Sequence, residues 1–174
     1  MEKMIYLDAG LCVGCGACVV ACMDQNDIFP EKGQPAFRRI YSVEKGRFPN
    51  VVIHYISVAC MHCAKSPCLE GCPTGAIVRD KRTNAIVVDT DLCIGCHSCA
   101  EACPLGIPRF DSEEKMQKCN LCSERVDAGL LPACVRVCPV GALKFASANE
   151  LMEEKELKIF SNLLAKKVHA NCCP

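Results

Sequence analysis

The chain has no tryptophan, and aromatic residues make up only 5% of its 174 positions. It has no net charge either, since 20 basic residues offset 20 acidic ones. With no basic tract interleaved with aromatics, no nucleic-acid partner is expected. No apolar run reaches the length of a membrane span. The opening stretch, MEKMIYLDAGLC, has neither an apolar signal core nor a twin-arginine pair, so the expected location is a reducing cytoplasm. There is no G-x-G-x-x-G run and no nucleophile–base arrangement. No catalytic residues and no substrate site of its own are therefore expected. What the chain has in excess is cysteine, 18 residues, a density typical of disulfide scaffolds or metal-rich proteins. In a reducing compartment clustered cysteines read as metal ligands rather than bridges.

The cysteines fall into a repeat. IYLDAGLCVGC (5–15) aligns with IVVDTDLCIGC (86–96), matching at Ile, Asp, Leu, Gly and both cysteines. Each copy continues as C-x2-C-x2-C-x3-C: Cys12, Cys15, Cys18 and Cys22, then Cys93, Cys96, Cys99 and Cys103. A looser group follows each tight one. The first is Cys60, Cys63, Cys68 and Cys72, and the second is Cys119, Cys122, Cys134 and Cys138. Both loose groups end C-P-x-G-A before Ile or Leu, and the second has seven extra residues between its second and third cysteines. The chain is a tight group plus a loose group, written twice.

The tight run is the bacterial ferredoxin signature, in which the fourth cysteine ligates the other cluster of a pair. Zinc is the main rival. A structural zinc site needs two ligand pairs around one ion, and four cysteines within eleven consecutive residues do not fit that. Taken alone, the last group could be a zinc site or a cluster site; its place in the repeat puts it with the clusters. Sixteen ligands in four groups imply four [4Fe–4S] clusters. Groups two and three are separated by AIVRDKRTNAIVVDTD, which reads as two short strands around a polar turn at Asp80–Asn84. That spacing pairs groups two and three, leaving group one to pair with group four. The expected ligand sets are Cys12, Cys15, Cys18 and Cys138 (set one), and Cys60, Cys63, Cys68 and Cys103 (set two). Set three is Cys93, Cys96, Cys99 and Cys72, and set four is Cys119, Cys122, Cys134 and Cys22.

CVGCGACVVAC, CPTGAI, KCNLCSERV and CVRVCPVGAL resemble the iron–sulfur electron-transfer (beta) subunits of the DMSO reductase family of molybdenum and tungsten enzymes. The resemblance spans about residues 4–146. It implies a polyferredoxin that relays electrons through four clusters to or from a molybdenum- or tungsten-pterin catalytic subunit. Some relatives carry tryptophan for one cysteine of the third group. Cys96 stands here, so four-iron clusters are expected throughout. The chain is also similar to the polyferredoxins of tungsten aldehyde oxidoreductases and of formate dehydrogenase–hydrogenase assemblies, some of which polymerise into filaments. Implied partners therefore include a flavin, hydrogenase or membrane subunit, or copies of itself. A free soluble carrier is the remaining alternative. The implied fold is α+β: two intertwined bacterial-ferredoxin-like two-cluster units with short hairpins and helices, plus a C-terminal helix. Residues 1–50 with 106–147 would form one unit, 51–105 the other, and 148–174 the helix and tail.

Other residues carry weaker readings. Ile5, Leu7, Val13, Ile77, Ile86, Val88, Ile94, Ile107, Leu143 and Phe145 are expected to pack around clusters. His62 and His97 read as surface-loop histidines. Arg38, Arg39, Arg79, Lys81 and Arg82 read either as solvated charge or as a surface for an acidic partner. Ser147 and Glu150 form a capping box at the head of a helix with Met152, Ile159, Phe160, Leu163, Leu164 and Val168 at helical spacing. That helix either packs on the body or docks on a partner. The inserted loop Ser123–Ala133 is expected to cover the fourth cluster. Leu130, Leu131, Phe160 and Leu164 are the candidate partner contacts. Cys172 and Cys173 fit no group.

Overall fold

The computed structural model describes residues 3–158. These residues form a mixed α and β structure of short helices and two-stranded sheets. The β-branched, apolar runs on either side of the Asp80–Asn84 turn become β4 (Ile77–Arg79) and β5 (Ile86–Val88), as expected. They pair antiparallel with Ile77 opposite Val88. Asp80 drives the reversal: its Oδ1 accepts the N–H of Arg82 at 2.7 Å and of Thr83 at 3.0 Å.

A second pair repeats this one with the chain ends exchanged. β1 (Lys3–Leu7) precedes the first cysteine group and β8 (Leu143–Ser147) follows the fourth. They pair antiparallel from Lys3–Ser147 to Leu7–Leu143. The match extends to single bonds. Asp8 N–H donates to Ala142 O at 2.8 Å, and Asp89 N–H donates to Ala76 O at 2.8 Å. Each acceptor is the alanine of a C-P-x-G-A run.

The helices are short, and each begins within a cysteine group. They are α1 (Ala17–Gln25), α2 (Pro67–Glu70), α3 (Ser98–Ala102), α4 (Ser123–Asp127) and α5 (Ala133–Arg136). Pro67 opens α2, where its missing N–H costs no helical bond. α1 packs on α5 and α2 on α3. Two small cores result. One gathers Ile77, Ile86, Cys99 and Met116, the other Cys18, Cys134 and Leu143. Thiols belong to both cores.

Two features lie outside this repeat. β2 (Arg39–Arg47) and β3 (Asn50–Val58) form a nine-residue antiparallel ribbon that pairs with no other strand among the described residues. Tyr41, Val52 and Ile53 are exposed along it and Phe48 stands 92% exposed at its turn. The short pair β6 (Arg109–Phe110) and β7 (Met116–Gln117) follows the third cysteine group.

Residues 148–158 are helical, and the capping box forms. Ser147 N–H donates to Glu150 Oε2 at 2.7 Å, and Glu150 N–H donates back to Ser147 Oγ at 3.3 Å. This helix is tied to the body by charge. Lys144 pairs with Glu154, Lys158 lies 3.8 Å from Asp8, and Lys155 sits over the Tyr6 ring. Ile159, Phe160, Leu163, Leu164, Val168, Cys172 and Cys173 lie outside the described residues. Among the described residues no helix is long and apolar enough to cross a membrane.

Candidate metal centres

Each C-x-x-C turn needs one residue with positive φ just before its second cysteine, so that both thiols face the same side. That residue is Gly14, His62, Gly95 and Leu121 in the four groups, with φ of 70°, 47°, 67° and 61°. In the first and third groups a side chain would collide as well. A Cβ at Gly95 would meet Glu114 O at 2.7 Å, and one at Gly14 would meet the Tyr55 ring. Glycine is therefore required at those two turns.

All sixteen motif cysteines are free thiols. Cys12, Cys15, Cys18 and Cys138 line one cavity, together with Leu7, Val13, Ile40 and Leu143. Cys72, Cys93, Cys96 and Cys99 line another of the same size, about 320 Å³, with Ile77, Val88, Ile94 and Phe110. In each cavity the fourth thiol comes from a distant group. The remaining eight thiols are related by charge. Cys22 is pushed well up by burial and then by the neighbouring Cys119, Cys134 and Cys122. Cys68 is raised by burial and then by Cys60 and Cys103, against the lowering influence of Lys118. Cys63 is exposed at the rim, next to the turn of His62.

Crowding thiols this way is unfavourable unless something neutralises them. Burial lifts Cys119 and Cys99 each to about 11. A soft metal that takes up thiolate charge reverses that cost. The surroundings are those of a sulfur acceptor. Backbone N–H groups point at Cys60, Cys93, Cys103, Cys119 and Cys138, at 3.2–3.5 Å. The hydroxyls of Ser57, Thr74 and Ser98 lie 3.5, 3.6 and 3.5 Å from the Sγ of Cys18, Cys72 and Cys96. At Cys72 burial pushes the thiol up, but Thr74 and the backbone N–H groups of Ile77 and Ala76 outweigh it and leave the pKa lowered. At Cys96, Ser98 is the dominant influence and also lowers it. Among the described residues no three His, Cys, Asp or Glu side chains converge closely enough to hold a single ion.

His62 departs from expectation. It is buried, not on a surface loop. Its Nδ1 accepts the Ile86 N–H at 2.9 Å. Burial first, then the charges of Lys118, Arg79 and Arg38, push its pKa down to about 3. The neutral ring therefore carries its proton on Nε2, which is buried without a partner. A buried N–H donor beside cysteine turns suits an inorganic sulfide acceptor. The cavities, the N–H donors and this orphan all fit iron–sulfur clusters. His97 is on the surface as expected, stacked on Phe110 with Nε2 2.8 Å from Glu114.

Two of the five basic candidates are likewise drawn inward, Arg38 buried and Arg79 half-buried. Arg38 is 3% exposed, and its Nη1 donates to Ser57 Oγ at 3.0 Å. Arg79 Nη2 donates to Cys63 O at 2.6 Å, Ala64 O at 2.9 Å and Ser66 Oγ at 3.0 Å, bracing the second group. A third internal cation, Lys118, is one that sequence reasoning misses. It is 5% exposed, and its Nζ donates to Ile86 O and to Cys119 O. The only signal for it is its place immediately before Cys119. Val13 and Ile94 line their cavities from the rim and are more than half exposed, so they are lids rather than core.

The inserted loop becomes α4, a turn and the start of α5. Arg125 ties it down, donating to Leu131 O at 2.9 Å and to Gln25 Oε1 at 3.2 Å. Arg82 reaches across to Asp127 at 2.7 Å. Leu130 and Leu131 are half exposed, beside a surface cleft shared with Lys3, Arg82 and Phe145.

Comparison with known proteins agrees with this chemistry. The 4Fe-4S dicluster domain matches residues 51–148 and again residues 11–76. YnfG of Escherichia coli K12, a probable anaerobic dimethyl sulfoxide reductase component, is 39% identical over 158 residues, covering 86% of this chain and 75% of its own length. A sulfite dehydrogenase subunit of Allochromatium vinosum is 36% identical over 177 residues, covering 91% and 74%. The hydrogenase-2 operon protein HybA of E. coli O157:H7 is 36% identical over 182 residues, covering 90% of this chain and 55% of HybA. Sixteen free thiols in four crossed groups, within two dicluster matches, place this chain in the 4Fe-4S dicluster family of iron–sulfur subunits, alongside those of dimethyl sulfoxide reductase and sulfite dehydrogenase.

Proposed function

We propose that the chain is a non-catalytic electron-transfer subunit that relays single electrons through four [4Fe–4S] clusters to or from a molybdenum- or tungsten-pterin subunit. The observation that carries this is the crossing of ligands between groups: Cys138 joins Cys12, Cys15 and Cys18, and Cys72 joins Cys93, Cys96 and Cys99. On this reading each of the four thiol sets holds one cubane. Set one is Cys12, Cys15, Cys18 and Cys138; set two is Cys60, Cys63, Cys68 and Cys103. Set three is Cys93, Cys96, Cys99 and Cys72; set four is Cys119, Cys122, Cys134 and Cys22. Sets one and four then make one ferredoxin unit closed by β1 and β8, and sets two and three the other, closed by β4 and β5. One unit is inserted in the sequence of the other.

The order of the relay is read from which thiols lie together across sets: Cys18 of set one shares a core with Cys134 of set four, and Cys68 of set two packs on the core that holds Cys99 of set three. Beyond the effect of burial, Cys134 of set four is raised in part by Cys18 of set one. In the same way Cys119 of set four is raised in part by Cys60 of set two, and Cys99 of set three by Cys68 of set two. The path runs one, four, two, three. The protein supplies the ligands, the N–H and hydroxyl donors to sulfur, and the exclusion of water; the clusters supply the electron chemistry. Sets one and three stand at the two ends of this path, each with an exposed cysteine at its rim (Cys15 and Cys96), and serve as entry and exit; set two also has an exposed cysteine, Cys63, but lies within the path.

The dimethyl sulfoxide reductase and sulfite dehydrogenase relatives are by name parts of larger enzymes. The same is proposed here, and the exposed apolar ribbon β2–β3 is a surface for a partner to cover. Native purification from the source cells tests this. Co-elution with a large molybdenum or tungsten subunit supports it, and lone migration contradicts it. A very high, concentration-dependent mass would instead favour a filament of this chain.

A further inference from the structure

A buried charge needs a compensating one, and Arg38 has no carboxylate to supply it. Among the described residues its side chain forms no ion pair with Asp or Glu. Its guanidinium instead lies beside sulfur, through Ser57. It donates to Ser57 Oγ at 3.0 Å, and that oxygen lies 3.5 Å from Cys18 Sγ. Cys18 packs in one core with Cys134 of set four, and the Arg38 charge also acts on Cys134, Cys22 and Cys119. Arg38 therefore stands where set one meets set four. Lys118 stands at the next junction. Also buried and without a carboxylate, it acts on Cys119 of set four and on Cys60, Cys68 and Cys103 of set two. Both cations act on Cys119 of set four, and all four thiols of that set are buried.

That burial poses a problem for a relay. A four-thiolate cubane is anionic, and reduction adds one more negative charge. In a site closed to water this extra charge is poorly solvated, which disfavours the reduced state and would make set four a barrier in the path. We propose that Arg38 is a positioning residue for electron transfer: its fixed positive charge at the junction of sets one and four raises the reduction potential of the set-four cluster, with Lys118 acting from the other side. The step is a one-electron reduction of the cluster by its neighbour, with no proton or bond exchanged. The inference rests on the four-cluster reading above.

The test is an anaerobic redox titration of the intact, cluster-loaded chain, followed by EPR, with iron measured on each sample. Iron content and the number of waves test the four-cluster reading; the position of the waves tests Arg38. In Arg38→Gln, reduction of one cluster should become at least tenfold less favourable, a fall of about 59 mV for a one-electron couple. The set-three wave, identified by its altered signal in Cys96→Ser, should stay in place. Arg38→Lys, which keeps the charge, should recover more than half of the loss, a result that a purely structural role would not produce. Four unmoved waves in a fully loaded Arg38→Gln would overturn the proposal, as would equal movement of all four. If Arg38→Gln loads too little iron, the test passes to Lys118→Gln, where unmoved waves in a loaded protein overturn it equally.

Discussion

The second and fourth cysteine groups have the same plan and opposite surroundings. Both are loose groups that end in C-P-x-G-A, and both contribute their last cysteine to a neighbouring set. Yet Cys63 is exposed and Cys60 and Cys68 half-buried, whereas Cys119, Cys122 and Cys134 are all buried, as is their partner Cys22. The difference traces to the seven extra residues between Cys122 and Cys134. They fold into α4 and its following turn, anchored by Arg125 on Gln25 and by Asp127 on Arg82, and they deliver Pro132 fully buried against α5. On the expectation that this inserted loop covers the fourth set, shortening it is the direct test. An interior cluster must accept charge without water; buried Arg38 acts on the fourth set, and buried Lys118 is shared between the fourth set and the second.

The most severe way to break this comparison is to remove the metal. Few large apolar side chains are fully buried, chiefly Ile86, Met116 and Leu121, and thiols belong to both cores. Chelation under oxidising conditions should therefore abolish cooperative unfolding by circular dichroism, because cluster binding supplies folding energy. Next comes loss of a single ligand. Cys134→Ser should cost about four iron atoms and stop electron equilibration between the outer sets. Cys96→Ser, at an exposed end, should alter one wave and leave the other three connected. Rapid-mixing reduction with spectral readout distinguishes the two variants.

A smaller effect is expected from shortening the insertion by seven residues, to the spacing of the second group. Iron stays bound, but oxygen should bleach one cluster several-fold faster than in the parent chain. Unchanged bleaching would mean that the loop is not a cover. Away from the clusters, Ser147→Ala removes a capping box and should lower stability by about 1 kcal/mol in guanidinium titration. Asp127→Ala breaks only an exposed ion pair and should change stability by less than about 0.5 kcal/mol.

Much of this architecture was legible in the cysteines. Their spacing and repetition carried the four groups, and the polar turn between β4 and β5 was visible because Asp80 acts on its immediate neighbours. The Ser147–Glu150 box was legible for the same reason. What was hidden depends on long-range contact. His62 occupies a position where the tight groups carry glycine, and its anchor, the Ile86 N–H, lies 24 residues away. Arg38 reads as surface charge until Ser57, 19 residues on, brings it to Cys18. Arg79 reads the same way until it folds back on Cys63, 16 residues earlier. The β2–β3 ribbon has no motif and, among the described residues, no partner strand, and it follows only from its own pairing.

Four [4Fe–4S] clusters require that every one of the sixteen clustered thiols serves a cubane. Iron and acid-labile sulfide measured on the intact chain, purified without oxygen, test it most directly. About 16 iron and 16 sulfide per chain, four of each per cluster, is the expected result. Stoichiometric zinc, or a total near eight iron, would contradict it.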